Sequence, residues 1–295
     1  MDLIYRCNKK IGITFYTYQY NVGKKAGSCR PGPARERVSS YRIVQVSDLQ
    51  SEYFGEAQRD LLSAVRAAGP DQIVLTGDLI DRSHTNYPAA MTAVRGLAVL
   101  APVCYIAGNH ELDLPREDYR KFLKALEKER VPILLNKVLP AGNVPGTAGI
   151  RVNLLGLSEY TVFLARNQKW GTGRRQRKDP LQPEVLQADL AALAAKVDPG
   201  DLNILLAHEP QYFDYYVLPG IDVVLAGHAH GGQFRLPNGQ GLFAPGQGEL
   251  PKYTEGAHRI GDTTMIISRG LGNSSFPLRL NNPPELVSVD LVQEG

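Results

Sequence analysis

Five short polar clusters in this 295-residue chain carry Asp, Asn and His, side chains that bind divalent metal ions. Four of the six histidines of the chain belong to these clusters. In chain order the clusters are Asp48-Leu49-Gln50, Gly77-Asp78-Leu79-Ile80-Asp81, Gly108-Asn109-His110-Glu111, His208 and Gly227-His228-Ala229-His230. Together these residue types are what a pair of bound metal ions requires.

Each cluster follows an apolar run that is typical of a β-strand. The runs are residues 43–46, 73–75, 103–106, 204–206 and 223–225. A parallel sheet presents its ligands beyond the carboxyl ends of its strands. We therefore expect the five clusters to converge on one edge of a parallel sheet.

The segments between these strands have the apolar periodicity of amphipathic helices. Helices are predicted over residues 56–68, 89–100, 117–130 and 182–197. This alternation of strands and helices favours an α/β architecture. The last third differs, because residues 234–236, 265–268 and 285–291 are strand-like and are separated by turns. We expect these segments to form an antiparallel, β-rich completion of the same domain.

Positive charge is concentrated at the N-terminus of the chain. Residues 1–40 hold eight Lys or Arg against Asp2 and Glu36, whereas the remainder holds 25 basic and 28 acidic residues. Residues 23–40 are rich in Gly, Pro and Ser and are typical of a linker. We predict a basic N-terminal extension over residues 1–40, in front of a single domain over residues 41–295. The extension is either poorly ordered or bound to an anionic partner.

Three cysteines without metal-binding spacing suit a reducing compartment, so cytoplasmic residence is predicted. No segment has the length of a transmembrane span. The Tyr- and Lys-rich N-terminus leaves a peripheral contact with a membrane surface open.

Taken singly, most of the clusters also have a plain structural explanation. Asp48 and Asp81 could be turn or cap residues, and His208 could be a buried histidine with satisfied hydrogen bonds. The pair His228 and His230 is more specific, since two imidazoles at positions i and i+2 after a buried strand have no packing rationale. The order and spacing of all five clusters make coincidence improbable.

The series D-x-Q, G-D-x-x-D, G-N-H-E, H and G-H-x-H resembles the calcineurin-like metallophosphoesterase superfamily, whose usual first motif is D-x-H. The tail, from GHAHGGQFRLP through KYTEG to SRGLGNSSFPLRLNNPPELVSVDL, is similar to the YkuE/YaeI-type phosphodiesterase branch. The resemblance covers residues 40–295. It implies a four-layer αββα sandwich with a metal pair at the sheet edge, and the activity of a metal-dependent phosphoric ester hydrolase acting on phosphodiesters.

The resemblance also implies a role for each cluster in a centre of two divalent ions, Mn²⁺, Zn²⁺ or Fe, that activates a water molecule. Seven residues would bind the ions: Asp78 as the bridge, Asp48, Gln50 and His230 at the first site, and Asn109, His208 and His228 at the second. His110 would stabilise developing charge or protonate the leaving oxygen. Asp81 would orient the ring of His110.

Gln50 departs from the family motif, which has His at this position. An amide oxygen is a harder and weaker donor than an imidazole nitrogen, so the first site should shift from Zn²⁺ toward Mn²⁺ or Mg²⁺, or bind less tightly. Gln50 could also leave the metal and hydrogen-bond a metal-bound water. This departure keeps a second hypothesis open, that of a catalytically weakened metal-binding or interaction module.

The substrate is indicated only by a basic segment. Residues 166–178 contain six Lys or Arg, and no acidic residue lies between Glu159 and Asp179. The segment, which includes Trp170, is either a solvated loop or a flap that holds an anionic phosphoester, nucleotide-linked or lipid-linked. A nuclease is a further alternative, but the slightly acidic body weighs against a nucleic acid partner.

Overall fold

The computed structural model describes residues 8–20, 27–33, 40–144, 150–166, 182–273 and 276–293. Within these ranges the chain forms two six-stranded sheets and a two-stranded hairpin. The strands are β1 (Gly12–Tyr20), β2 (Ser28–Pro31), β3 (Tyr41–Val46), β4 (Gln72–Thr76), β5 (Val103–Ile106), β6 (Lys137–Asn143), β7 (Arg151–Gly156), β8 (Leu202–Leu206), β9 (Val223–Ala226), β10 (Phe243–Ala244), β11 (Gly248–Glu249), β12 (Gly256–Ile260), β13 (Thr263–Ile267) and β14 (Glu285–Gln293). The α-helices are α1 (Arg59–Ala68), α2 (Tyr87–Leu100), α3 (Asn109–Leu112), α4 (Arg116–Lys128), α5 (Glu159–Ala165), α6 (Pro183–Ala194) and α7 (Phe213–Tyr216).

Both large sheets are mainly parallel in the part that carries the polar clusters. The first sheet has the order β2-β1-β14-β3-β4-β5, and β3, β4 and β5 run parallel to one another. The second has the order β12-β13-β9-β8-β7-β6, in which the four inner strands are parallel and both edge strands are antiparallel. The five strands that precede the polar clusters are therefore divided between the two sheets.

Three apolar clusters show how the layers are stacked. The alternation of side chains along a strand is clear in β4, where Val74 contacts the core between the two sheets, while Ile73 and Leu75 face the helices on the other side. The outer face of the first sheet is covered by α1, α2 and α4, and that of the second by α5 and α6. The order helix, sheet, sheet, helix confirms the predicted four-layer αββα sandwich.

Each of the four predicted helical segments contains a helix, and residues 265–268 and 285–291 lie almost wholly within β13 and β14. Residues 234–236 were wrongly predicted as a strand, because they make only isolated bridges, Phe234 to Leu280 and Arg235 to Gly241. The antiparallel completion is also only partly correct. Strand β13 runs parallel to β9, and β14 runs antiparallel to β3 but parallel to β1.

The structure differs most from the sequence-based expectation near the N-terminus. Strand β1 pairs with β14 over nine residue pairs and brings Tyr16, Tyr18 and Tyr20 into the core between the sheets. The prediction of residues 1–40 as a basic extension is therefore wrong for β1 and β2, which belong to the first sheet. The alternating tyrosines form one buried face. Several of the eight basic residues in residues 1–40, including Lys24, Lys25, Arg35 and Arg37, lie outside the described residues.

Two further expectations concern the basic segment and transmembrane spans. The basic segment over residues 166–178 lies outside them except for Arg166, and so does Trp170. Among the helices that are described, none is long and apolar enough to cross a lipid bilayer.

Candidate metal centre

All five polar clusters lie at one edge of the sandwich, where the two sheets are joined by hydrogen bonds. The side-chain nitrogen Nε2 of Gln45 donates to Ala226 O and to Thr76 Oγ1, both at 2.9 Å. Nδ1 of His208, which follows the second sheet, lies 2.8 Å from the carbonyl oxygen of Thr76 in the first. The predicted convergence is confirmed, but it is achieved across two facing sheets.

The backbone of the site adopts left-handed conformations, which are rare for residues other than Gly. Five of the seven predicted metal ligands have φ between 47° and 66°, and they are Asp48, Gln50, Asp78, His228 and His230. Left-handed conformations cost about 1–3 kcal/mol for residues other than Gly and cluster at functional sites. Neighbouring glycines provide the space, since a Cβ atom on Gly108 would collide with the carboxylate of Asp78. The turns thus aim several short side chains at one point.

One group of possible metal ligands joins the two sheets. Atoms of Asp78, His208 and His228 lie within 4.8 Å of one another, and all three residues are buried. Nε2 of His208 is 3.2 Å from Oδ2 of Asp78. Since a carbonyl oxygen only accepts, Nδ1 of His208 donates to Thr76 and leaves Nε2 directed at the centre, which is the usual arrangement of a metal-binding histidine. This group corresponds to the predicted second site.

A second group shares Asp78 with the first. Atoms of Asp48, Asp78 and His230 also lie within 4.8 Å of one another. The Asp48 carboxylate is oriented by the backbone N–H of His228, 3.1 Å from each of its oxygens, and by the hydroxyl of Ser47. Nε2 of His230 lies 3.4 Å from Oδ1 of Asp48. Only Asp78 belongs to both groups, as a bridging carboxylate would.

Both amide side chains among the predicted metal ligands have a buried oxygen without a hydrogen-bond partner in the part of the chain that the structure describes. They are Oδ1 of Asn109 and Oε1 of Gln50. A buried acceptor left without a partner costs about 1–3 kcal/mol, so a cation at the centre would satisfy atoms that this part of the protein leaves unsatisfied. Nε2 of Gln50 donates to Oδ2 of Asp78 at 3.0 Å. The donor set of carboxylate, amide and imidazole groups fits divalent metal ions.

Burial and mutual charge control the protonation of the ligands. Burial alone would raise the pKa of Asp78, but His208 and His110 outweigh it and hold that pKa well below its usual range. Burial, reinforced by Asp78, raises the pKa of Asp48 to about 6. Burial lowers the pKa of His228 to about 3, and burial together with Arg279 holds the pKa of His230 well below its usual value. Neutral imidazoles are the form that binds a metal, and His228 and His230 are held in this form. Burial alone would lower the pKa of His208, but the carboxylate of Asp78 outweighs it and holds that pKa well above its usual value.

His110 and Asp81 lie beside the centre, but in a different relation from the one expected. Nδ1 of His110 accepts the backbone N–H of Arg82 at 3.3 Å, and Oδ2 of Asp81 is 3.6 Å away from the same nitrogen. The other oxygen of Asp81 accepts the backbone N–H groups of Ser83 and His84 at 2.5 and 2.7 Å. Asp81 therefore closes a turn and lies near His110 without a hydrogen bond to it. Its orienting role stays a prediction.

Two residues that support the site had received no role from the sequence. The buried carboxylate of Glu111 accepts backbone N–H groups from Asp78, Ile80 and Gly108 at 2.9 to 3.1 Å, which ties two ligand-bearing loops together. Arg279, which is 1% exposed, places its guanidinium 3.1 Å from Nδ1 of His230. The acidic residue at the end of the G-N-H-E motif was a sequence signal for the role of Glu111, whereas no sequence signal indicated the role of Arg279.

Comparisons with known proteins agree with this geometry. The family model for calcineurin-like phosphoesterases matches residues 41–232, which is more than half of the chain. The uncharacterized metallophosphoesterase YkuE of Bacillus subtilis (strain 168) is 30% identical over 256 residues, which cover 85% of this chain and 79% of YkuE.

Two other relatives align over a similar span. The uncharacterized metallophosphoesterase YkoQ of Bacillus subtilis (strain 168) is 27% identical over 86% of this chain and 83% of its own length. The phosphodiesterase YaeI of Escherichia coli (strain K12) is 27% identical over 88% of this chain and 84% of its own length. The family model and the similarity to YkuE show that the chain belongs to the calcineurin-like phosphoesterase family, and its two groups of possible metal ligands agree with this.

Proposed function

We propose that this protein hydrolyses phosphodiesters at a centre of two divalent metal ions. The observation that supports this proposal best is the sharing of Asp78 by the two groups of possible ligands. One carboxylate has two oxygens and can therefore hold two cations a short distance apart. Among the relatives, YaeI is named a phosphodiesterase, which supports a diester as the substrate.

Seven residues would hold the ions, and they are Asp48, Gln50, Asp78, Asn109, His208, His228 and His230. When bound, two such ions would neutralise the charge of a phosphoryl group and lower the pKa of water. The mixture of oxygen and nitrogen donors suits Mn²⁺, Zn²⁺ or Fe. Gln50 and Asn109 contribute neutral oxygens, so Asp48 and Asp78 provide the negative charge of the ligand set.

His110 is proposed as the residue that moves a proton. Because its Nδ1 accepts a backbone N–H from Arg82, the proton of the neutral ring is on Nε2. Nε2 lies 3.9 Å from Oδ2 of Asp78 and thus points toward the centre. From this position the ring can donate its proton to the oxygen of the leaving group.

The test begins with protein from which metal has been removed by chelation. We expect Mn²⁺ or Zn²⁺ to bind with a stoichiometry of two and to restore hydrolysis of bis(p-nitrophenyl) phosphate. The corresponding monoester serves as the comparison, and the diester should be the better substrate. Binding of two ions without hydrolysis of either ester would instead favour the non-catalytic metal-binding module.

A further inference from the structure

Large apolar side chains are exposed at the edge that carries the metal ligands. Ten such side chains are exposed among the described residues, and six of them lie in two adjoining loop regions. The first, residues 236–250, follows the turn at His230 and includes β10 and β11, and the second, residues 276–280, lies between β13 and β14. We call these six the apolar rim, and they are Leu236, Leu242, Phe243, Leu250, Phe276 and Leu280.

The apolar rim is attached directly to the candidate metal centre. The backbone N–H of Leu242 donates to Gly232 O at 3.1 Å, in the turn that contains His230. The side chain of Gln233 donates to Phe276 O at 2.9 Å. The second loop also carries Arg279, whose guanidinium contacts His230. The exposed apolar groups are therefore held beside the site by the same turn that positions one of its ligands.

Two features indicate that the exposed apolar side chains form an interaction surface. Leu250 is 64% exposed although its φ of 47° is unfavourable for a branched side chain, where Gly or Asn would fit more easily. Charge is also nearly absent from the two loops. Residues 236–250 contain Glu249 as their only charged residue, and residues 276–280 contain only Arg279, which is buried. An exposed patch of this kind marks an interaction surface.

We propose that the apolar rim inserts into the surface of a lipid bilayer and presents the metal centre to a lipid-linked phosphodiester. This inference rests on the proposed phosphodiesterase function and names its substrate class. A bilayer offers phosphodiesters at the depth of its headgroups, next to the apolar region that would receive the rim. A folded protein on the same surface would stand beside the centre and hinder access of the substrate.

Residues 166–178 of the sequence hold six Lys or Arg and no acidic residue, so the vesicles used in the test include an anionic lipid.

The experiment measures binding of the full-length, metal-loaded protein to vesicles by co-sedimentation. One set of vesicles contains phosphatidylcholine alone, and the other contains added phosphatidylglycerol. The double variant Phe243→Ser/Leu250→Ser removes two of the exposed groups. Val99→Ser is the matched control, because Val99 is 83% exposed on α2, away from the metal centre.

We expect the wild type to sediment with vesicles that contain phosphatidylglycerol. The double variant should partition into the vesicles at least about tenfold more weakly. Each side chain that enters the bilayer contributes part of its free energy of transfer from water to the binding free energy. Val99→Ser should stay within about twofold of the wild type, because only exposed groups beside the centre would enter the bilayer.

Three outcomes would overturn the proposal. They are the absence of vesicle binding by the wild type, an equal loss in Val99→Ser, and a wild-type dimer that the double variant dissociates, which would make the rim a protein interface. Hydrolysis of bis(p-nitrophenyl) phosphate in free solution is measured on the same wild-type samples. A failure of the proposed catalytic function is thereby separated from a failure of membrane docking.

Discussion

Replacing Asp78 by Asn tests the binuclear centre most directly, because the change keeps the shape of the side chain and removes its charge. One oxygen of the carboxylate accepts the backbone N–H of His110 at 2.8 Å. The other accepts from Gln50 at 3.0 Å and lies 3.2 Å from Nε2 of His208. The amide of Asn has only one oxygen. In either orientation its NH₂ group replaces one of the two carboxylate oxygens and therefore faces a nitrogen to which that oxygen had been close.

The expected effect has two parts. Loss of a hydrogen bond to a charged acceptor destabilises the fold by about 1.5–3 kcal/mol. Part of this loss is offset because Asp48 no longer has a like-charged neighbour, which had raised its pKa. Metal binding should suffer more. Changing a residue that only orients a ligand costs about 10–100-fold in affinity, so removal of a shared anionic ligand should cost at least about 100-fold at both sites.

The assay combines metal content, measured by plasma emission, with hydrolysis of bis(p-nitrophenyl) phosphate and thermal unfolding. Asp222→Asn is the matched control, because Asp222 is also buried but lies at the opposite end of β9 from His228. We expect Asp78→Asn to lose both ions and hydrolysis while it stays folded, and Asp222→Asn to keep both. An Asp78→Asn variant that retains two ions and near-normal rates would refute the bridging role.

Three further variants test other parts of the site and the fold. His110→Ala should keep its metal content but lose about 10²–10⁴ in rate, and less on esters with good leaving groups; loss of metal would count against its role as a proton donor. Gln50→His should bind Zn²⁺ more tightly, with a smaller gain for Mn²⁺, in metal titrations at several pH values; unchanged affinities would place Gln50 outside the ligand set. Burial raises the pKa of Asp222 from 3.8 to about 7, so its contribution to the free energy of unfolding is present below pH 3.8 and is lost as the pH rises through 7. This loss is up to about 4 kcal/mol, and Asp222→Asn should flatten the dependence in urea titrations, whereas an unchanged slope would assign it to other groups.

The convergence of the candidate metal ligands was predictable because the chemistry of each cluster is local in sequence. Each of the clusters around Asp48, Asp78, Asn109, His208 and His228 directly follows a buried strand, and the ends of parallel strands meet at one edge. The division of these strands between two sheets was not predictable in the same way. It depends on which strands pair, and pairing is decided by contacts between distant residues.

The errors have equally specific causes. Strand β1 was missed because the charges on either side of it hid the alternation of Tyr16, Tyr18 and Tyr20. The supporting role of Arg279 depends on a contact with His230 across 49 residues, which no local pattern reveals. The exposure of Phe243 and Leu250 was equally hidden, because a sequence shows that a residue is apolar but not that it remains uncovered.

The position of β14 determines when the centre can be assembled. This strand lies between β1 and β3, so contacts across more than 240 residues must form before the first sheet is continuous. The segment just before it holds the Asp48 loop, through hydrogen bonds from Leu271 N to Ser47 O and from Gly272 N to Asp48 O. Loop closure over such distances is slow. During synthesis, Asp48 and Gln50 therefore leave the ribosome early, but their loop gains its final geometry only after β14 has emerged.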